Sequence, residues 1–352
     1  MKNFILKTLK FLGFLSFGII LLYFAFKGIS FKTILQDLKS VNYWWVLLSL
    51  FFALLAYMAR AYRWNIIIEP LNYKPPVLHT FYSLMVGYLA NFAFPRIGEI
   101  TRCASLSKKE KIPVDKLIGT VIVERAVDLL SLLILLILLL IIRLDTFGSF
   151  LGNNVFIPLS EKISNTFDFS WFIWIVIAGT FIGFISLYFV FREQLAKIVV
   201  VNKVKNLVKG VLSGLKTVYQ MKRRWEFIIF SILIWVFYLL MTWVVVFALP
   251  ATSGLNLIDG LFILVIGGLG MSAPVQGGIG AFHWIVSRGL ASVYAFISIE
   301  EGLVFATVSH GSQAIFAIAL GTLSFVLLVS KKKQASGKRI RKKGKTFNAV
   351  PK

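Results

Sequence analysis

Pro95-Arg96-Ile97-Gly98-Glu99 and Pro274-Val275-Gln276-Gly277-Gly278-Ile279-Gly280 each close an apolar run, the first at about 78–94 and the second at about 258–273. As helices, runs of this length reach roughly 25 Å at ~1.5 Å per residue. That is short of the ~30 Å hydrocarbon core of a bilayer. Both segments therefore read as broken elements that enter a membrane without crossing it. Around them lie apolar runs of full spanning length, near 11–27, 44–66, 118–142, 171–191, 227–249 and 303–330. Each of these reads as a transmembrane helix.

Composition agrees with this reading. Of 352 residues, 58% are hydrophobic and 15% charged, and the mean hydropathy of +0.82 excludes a soluble globular protein. The first span follows Lys2, Lys7 and Lys10, but no small-residue cleavage site comes after it and Lys27 closes it directly. It reads as an uncleaved signal anchor. Cys103 is the only cysteine. This excludes an intramolecular disulfide and a multi-cysteine metal or redox site, and it leaves Cys103 as a small core residue.

The formal charge of +23 would point to nucleic acid in a soluble chain. Its distribution points to a membrane surface instead. Basic residues crowd 192–226 and the tail 331–352, and the tail holds no acid. Both segments adjoin spans, where the positive-inside rule places them in the cytoplasm. Anionic lipid headgroups are their expected partners, at about 1 kcal/mol per basic residue near the surface. Nucleic acid is not expected, and an acid-free basic tail reads as solvated and disordered.

Charge counting also sets the topology. With the N-terminus inside, the first two spans return the chain to the cytoplasm near Arg60, Arg63 and Lys74. The stretch 95–117 carries Arg96, Arg102, Lys108, Lys109, Lys111 and Lys116, so it is cytoplasmic too. The run 78–94 must then dip in and come back, giving a hairpin over about 78–117. The base-poor loop 143–170 falls outside, 192–226 inside, and a second hairpin over about 258–291 enters from outside. The expectation is an all-α integral membrane protein with six full spans and two re-entrant helical hairpins. Both termini are cytoplasmic, in the cell membrane.

Each half follows the same order: span, amphipathic connector, span, hairpin, span. The connectors fall at about 29–42 and 194–218 and read as helices lying in the interface plane. Three crossings per half turn the second half upside down. The repeats are 1–142 and 143–330, followed by the basic tail 331–352. Inverted repeats with broken helices near the midplane are a recurrent architecture of carriers, with the central site at the repeat interface.

Charges inside the spans mark candidate site residues. Glu124, Arg125 and Asp128 lie within the run 118–142, with Glu124 and Asp128 on one helix face at i, i+4. An unpaired charge at mid-bilayer costs at least about 2.5–3.5 kcal/mol, so these groups face protein, water or each other. Arg96, Glu99 and Arg102 are their nearest candidate partners. The cluster reads either as an ion-pair network bracing the hairpin or as a site for a phosphate-bearing or zwitterionic headgroup, with arginines as bidentate donors. Arg60 and Arg63, at a span end, read as snorkelling to headgroups or as lining the inner mouth of a cavity.

The second break offers backbone instead of charge. Gly277, Gly278 and Gly280 permit close approach, and amides of a half-helix beginning after Pro274 could hold an anionic group. Close helix packing is the plainer reading of such glycines. Gln276, His283, His310 and Gln313 are the polar side chains that could share that cavity. Both histidines are candidates for packing or for proton relay. The three histidines of the chain show no metal-binding spacing, so neither a metal nor a cofactor is expected.

Three strings in order, PRIGEITR at 95–102, VERAVD at 123–128 and APVQGGIGAFH at 273–283, resemble the lysylphosphatidylglycerol synthase transmembrane-region family, also called flippase-like. That family includes the flippase domain of the multiple-peptide-resistance factor. The resemblance covers roughly 10–330. It implies an inverted-repeat membrane domain that binds or moves lipids with modified headgroups. By motif match the family's polar positions fall on Arg96, Gly98, Glu99, Arg102, Glu124, Arg125 and Asp128, with Pro274, Gly277, Gly278 and Gly280 in the second motif. Gln276 and His283 stand where the family often has proline and glutamate. The resistance factor's soluble aminoacyltransferase domain has no counterpart in this chain, so lipid aminoacylation is not expected.

The functional expectation is therefore a protein that binds and translocates a phospholipid or lipid-linked intermediate with an anionic or zwitterionic headgroup. The alternative is a non-transporting scaffold or accessory subunit of a lipid or cell-envelope glycan enzyme, working with that enzyme or as a homo-oligomer. No nucleophile–base or metal-ligand spacing supports an enzyme.

Overall fold

The structure, a computed structural model, describes residues 23, 39–143, 219 and 221–330. The spans expected at 11–27 and 171–191, the connector at 194–218, nearly all of that at 29–42, and the tail lie outside the described residues. Among the described residues the fold is all-helical. Its eight α-helices are α1 (Tyr43–Ile68), α2 (Val77–Ala93), α3 (Gly98–Glu110), α4 (Val114–Ile142), α5 (Arg224–Val244), α6 (Leu257–Met271), α7 (Ala281–Val293) and α8 (Ile299–Ser330). Counting short 3-10 extensions, four helices are long and apolar enough to cross a membrane: Tyr43–Leu71, Val114–Ile142, Arg224–Ala248 and Ile299–Ser330.

The boundaries follow local chemistry. Asn42 caps α1, its side chain accepting from the Trp44 amide. Pro76 and Pro113 stand just before α2 and α4, where a missing N–H costs nothing. Phe94 ends α2 in an extended conformation because Pro95 follows it. Asn256 and Asp259 form a reciprocal capping box at α6. Ser298 and Glu301 do the same at α8, with Ser298 N to Glu301 Oε2 at 2.8 Å and Glu301 N to Ser298 Oγ at 3.1 Å.

Contacts at the helix ends fix the directions. The Asn42 amide donates to Ala248 O at 2.9 Å at one end of the molecule. At the other end Arg223 pairs with Glu69 at 3.0 Å. Helices α1 and α5 are therefore an antiparallel pair along their length. Helix α4 starts near the lysine-rich end of α3 and finishes beside α6, where Arg143 pairs with Asp259.

Both broken segments are hairpins with tied bases. His79, near the start of α2, meets Glu110 at the end of α3, Nδ1 to Oε1 at 2.5 Å. Asp259, near the start of α6, accepts from the Tyr294 hydroxyl just beyond α7 at 2.7 Å. One base lies at the lysine-rich end and the other at the opposite end. Burial and the Asp259 carboxylate raise the Tyr294 phenol well above its usual pKa, which keeps it a donor. Asp259→Ala removes a helix cap, an ion pair and that acceptor together. The expected loss is about 1–3 kcal/mol, read as a lowered midpoint of thermal unfolding in detergent.

The hairpin tips meet. Arg96 Nη2 donates to Ser272 O at 2.7 Å. A Cβ on Gly277 would lie 2.4 Å from the Phe92 ring. Helix α8 crosses α2 where Gly321 faces the Met85 carbonyl and Leu89, and it crosses α7 where Gly302 faces the Ser287 backbone. The largest core gathers residues of α6, α7, α8 and the end of α5, with Ile263, Val286, Leu290 and Phe305 fully enclosed.

Candidate functional site

Five of the six charged residues singled out around the first break converge on one cluster. Glu124 is fully enclosed, and its two oxygens face three arginines. Oε1 accepts from Arg60 and Arg63 at 3.1 Å each, and Oε2 accepts from Arg102 at 2.7 Å. Asp128, one turn along α4, takes Arg63 at 2.6 Å and Arg60 at 3.2 Å. Arg125 spans the outer edge, 3.3 Å from Asp128 and 3.8 Å from Glu99. The i, i+4 spacing of Glu124 and Asp128 does what it predicts, turning both carboxylates to one face.

Arg96 is the exception. It is exposed and reaches the second hairpin at Ser272 instead of the carboxylates. It stands at φ +60°, in the left-handed region, at the turn between α2 and α3. The turn directs its side chain away from α4.

Arg60 and Arg63 do not snorkel. Arg63 is fully enclosed and Arg60 nearly so. Helix α1 continues to Ile68, which puts Arg60 about 12 Å of helix from that end. Their i, i+3 spacing answers that of the two carboxylates. Arg60 Nη1 also donates to Tyr238 OH at 3.0 Å, and Arg63 Nη1 to Ser231 Oγ at 3.3 Å, which brings α5 into the cluster. Aromatic faces back the guanidiniums: Trp64 lies 4.6 Å from Arg102, with its indole held by Thr120 at 2.8 Å.

The charges do not cancel. Among the described residues four guanidinium groups (Arg60, Arg63, Arg102, Arg125) meet three carboxylates (Glu99, Glu124, Asp128), leaving one positive charge. Arg60 Nε, Arg63 Nε and Arg102 Nη1 are buried and make no hydrogen bond among the described residues. Such groups normally find partners. The cluster therefore combines surplus positive charge with idle donors, a combination suited to an anion.

The second group sits at the other hairpin tip. Gly277, Gly278 and Gly280 all adopt positive φ. A 3-10 turn occupies Gln276–Gly278, and α7 begins only at Ala281, so the helix N-terminus lies further from Pro274 than a helix starting directly after it would. Gln276 and His283 are buried. The His283 and His310 rings stand 5.5 Å apart and nearly perpendicular, with Phe282 stacked on His310 at 4.8 Å. Gln313, one turn further along α8, is half-buried. No group of three or more His, Cys, Asp or Glu side chains is placed to hold a metal among the described residues.

The profile of the family described as "Lysylphosphatidylglycerol synthase TM region" matches residues 10–321. The chain is also similar to the UPF0104 membrane protein MJ1595 of Methanocaldococcus jannaschii, 32% identical over 117 residues. That match covers 32% of this chain and 34% of the relative, so it spans about a third of the relative's length. No solved structure matches. With both hairpins, the intramembrane charges and most of its length inside the match, the chain is a membrane protein of the lysylphosphatidylglycerol synthase transmembrane-region family.

Proposed function

We propose that the arginine–carboxylate cluster binds the anionic or zwitterionic headgroup of a phospholipid or lipid-linked intermediate, and that the protein translocates that lipid across the cell membrane. The observation that carries this reading is the buried surplus of guanidinium donors. Among the described residues Arg60, Arg63 and Arg102 keep unused N–H groups beside carboxylates that only partly neutralise them. A phosphate supplies both the missing charge and the missing acceptors. Glu99, Arg125 and Asp128 form the open side through which a headgroup enters.

Two hairpins based at opposite ends and touching at their tips suit alternating exposure of one central site. In this reading the halves are inverted repeats, the termini are cytoplasmic, and the basic stretches 192–226 and 331–352 hold anionic headgroups. The protein performs no covalent chemistry on its lipid.

The test is transport. Purified protein in liposomes should speed translocation of a headgroup-labelled phosphatidylglycerol well beyond protein-free vesicles. Arg125→Ala, at the open edge, should lower that rate about 10-fold or more without changing thermal stability. If no anionic or zwitterionic lipid moves faster than in empty vesicles, translocation is wrong.

A second reading rests on Glu124, which accepts three arginines and is shut off from solvent. On that reading the network is a static brace of a scaffold or accessory subunit for an envelope enzyme. Arg125→Ala would then leave lipid binding unchanged.

A further inference from the structure

An apolar groove of about 440 Å³ lies between α4, α5 and α6. Its size falls in the range of ligand pockets, about 300–1,000 Å³. On α5 its wall runs from Phe227 to Leu239, about 18 Å along the helix axis. On the opposite wall it follows α4 from Val127 to Leu135, and α6 closes it with Leu261 and Leu264.

One end of the groove adjoins the arginine cluster. Phe227 and Ser231 line the groove, and both also touch Arg63, whose guanidinium lies 5.7 Å from the Phe227 ring and donates to Ser231 Oγ. Val127 precedes Asp128, and Ser131 follows it by one turn on the same wall. An apolar wall that runs up to a buried cationic cluster fits an amphiphile. It runs parallel to the membrane-spanning helices, as a lipid tail does. An extended peptide laid along it would bring backbone polar groups that this wall cannot satisfy.

We propose that this groove holds one acyl chain of the lipid whose headgroup the cluster binds. The inference rests on the headgroup reading given above and adds where the tail lies. The chain leaves the headgroup beside Ser231, passes Trp235 and ends near Leu239 and Leu264. Lipid tails are as apolar as leucine, so the groove gains little from hydrophobicity itself. What it supplies is close packing and alignment, which hold the headgroup against Arg60, Arg63 and Arg102 at a fixed depth. Selectivity follows for tail as well as head: lipids with chains too short to fill the groove lose its contribution.

The test uses the whole protein in detergent micelles and a phosphatidylglycerol with a diazirine midway along one acyl chain. Irradiation and peptide mapping should place the label on 127–135 and 231–239, displaced by unlabelled dioleoyl phosphatidylglycerol. Leu239→Trp and Leu264→Trp fill the groove from different helices, so a folding failure in one leaves the other to decide. Each should cut groove labelling about 10-fold or more. Each should leave the affinity for dihexanoyl phosphatidylglycerol, whose tails barely enter the groove, within about 2-fold.

Labelling spread along the exposed face of α8, at Ile315 and Phe325, with none enriched in the groove, overturns the inference. If short-chain binding persists in that case, the headgroup reading survives. Cross-links from groove residues to a second copy of the chain would assign the groove to a dimer contact and overturn it equally. Failure of the unsubstituted protein to bind either probe removes the headgroup reading and this inference together.

Discussion

Glu124→Ala is expected to cost about 3–5 kcal/mol of stability, the largest effect of any single charge removal in this protein. The carboxylate is the shared acceptor of Arg60, Arg63 and Arg102. Without it three guanidinium groups crowd the buried side of the site, with Asp128 the nearest carboxylate left to offset them. Each then carries a desolvation cost that nothing compensates. The effect is checked by thermal unfolding in detergent, followed through the fraction of monodisperse protein. A second variant separates repulsion from lost packing. In a Glu124→Gln background, Arg102→Met removes one of the crowded charges at similar length, and it should recover about 1 kcal/mol or more. If Arg102→Met destabilises the Glu124→Gln protein further, like-charge repulsion is not what the carboxylate suppresses.

Gly98→Val is expected to open the first hairpin. A Cβ at this position would lie 2.3 Å from the Gly87 carbonyl oxygen and 2.7 Å from the Asn91 side chain. Neither can retreat cheaply. Gly87 is helical backbone inside α2, and Asn91 Oδ1 holds the Gly98 amide at 2.7 Å as α3 begins. Overpacking typically costs about 1–3 kcal/mol, and more where backbone must move. The displacement also reaches the cluster, because Arg102 lies one turn beyond Gly98 and the Cβ of Arg102 stands 3.0 Å from the Cβ that Gly87 lacks. The expected result is a lower unfolding midpoint together with weaker lipid binding. The milder Gly119→Ala makes a suitable control, since nothing lies within 4 Å of a Cβ there. It should be neutral or slightly stabilising, as alanine is the better helix former by about 1 kcal/mol.

Much of this arrangement was legible before any coordinates. Apolar length located the four long helices, and proline with glycine located the two breaks. Helical spacing put Glu124 and Asp128 on one face, and the cost of burying them required that they face protein, water or each other. Arg60 and Arg63 were harder to place. A charge near the end of an apolar run reads as snorkelling, because linear sequence does not show how far the helix continues. Here α1 runs on through Trp64, Ile66, Ile67 and Ile68, which are buried. That extension turns two apparent surface cations into the centre of the site.

Tyr238 was hidden for a different reason. It contributes a hydroxyl from the far side of an α1–α5 pairing, and no periodicity announces that contact. Arg96 was misplaced because a left-handed turn reverses the direction its position along the chain suggests. The tie between His79 and Glu110 joins residues 31 apart. Neither carries a signal until the hairpin is drawn.

The meeting of the two tips has a mechanical meaning. Along that line the protein has no continuous rod from face to face, only two half-columns stacked end to end. Each is bolted at its outer base by an enclosed carboxylate, Glu110 in one and Asp259 in the other. The joint between them includes a guanidinium-to-carbonyl bond and a ring resting on a glycine. The stack can part in the middle while both columns stay whole.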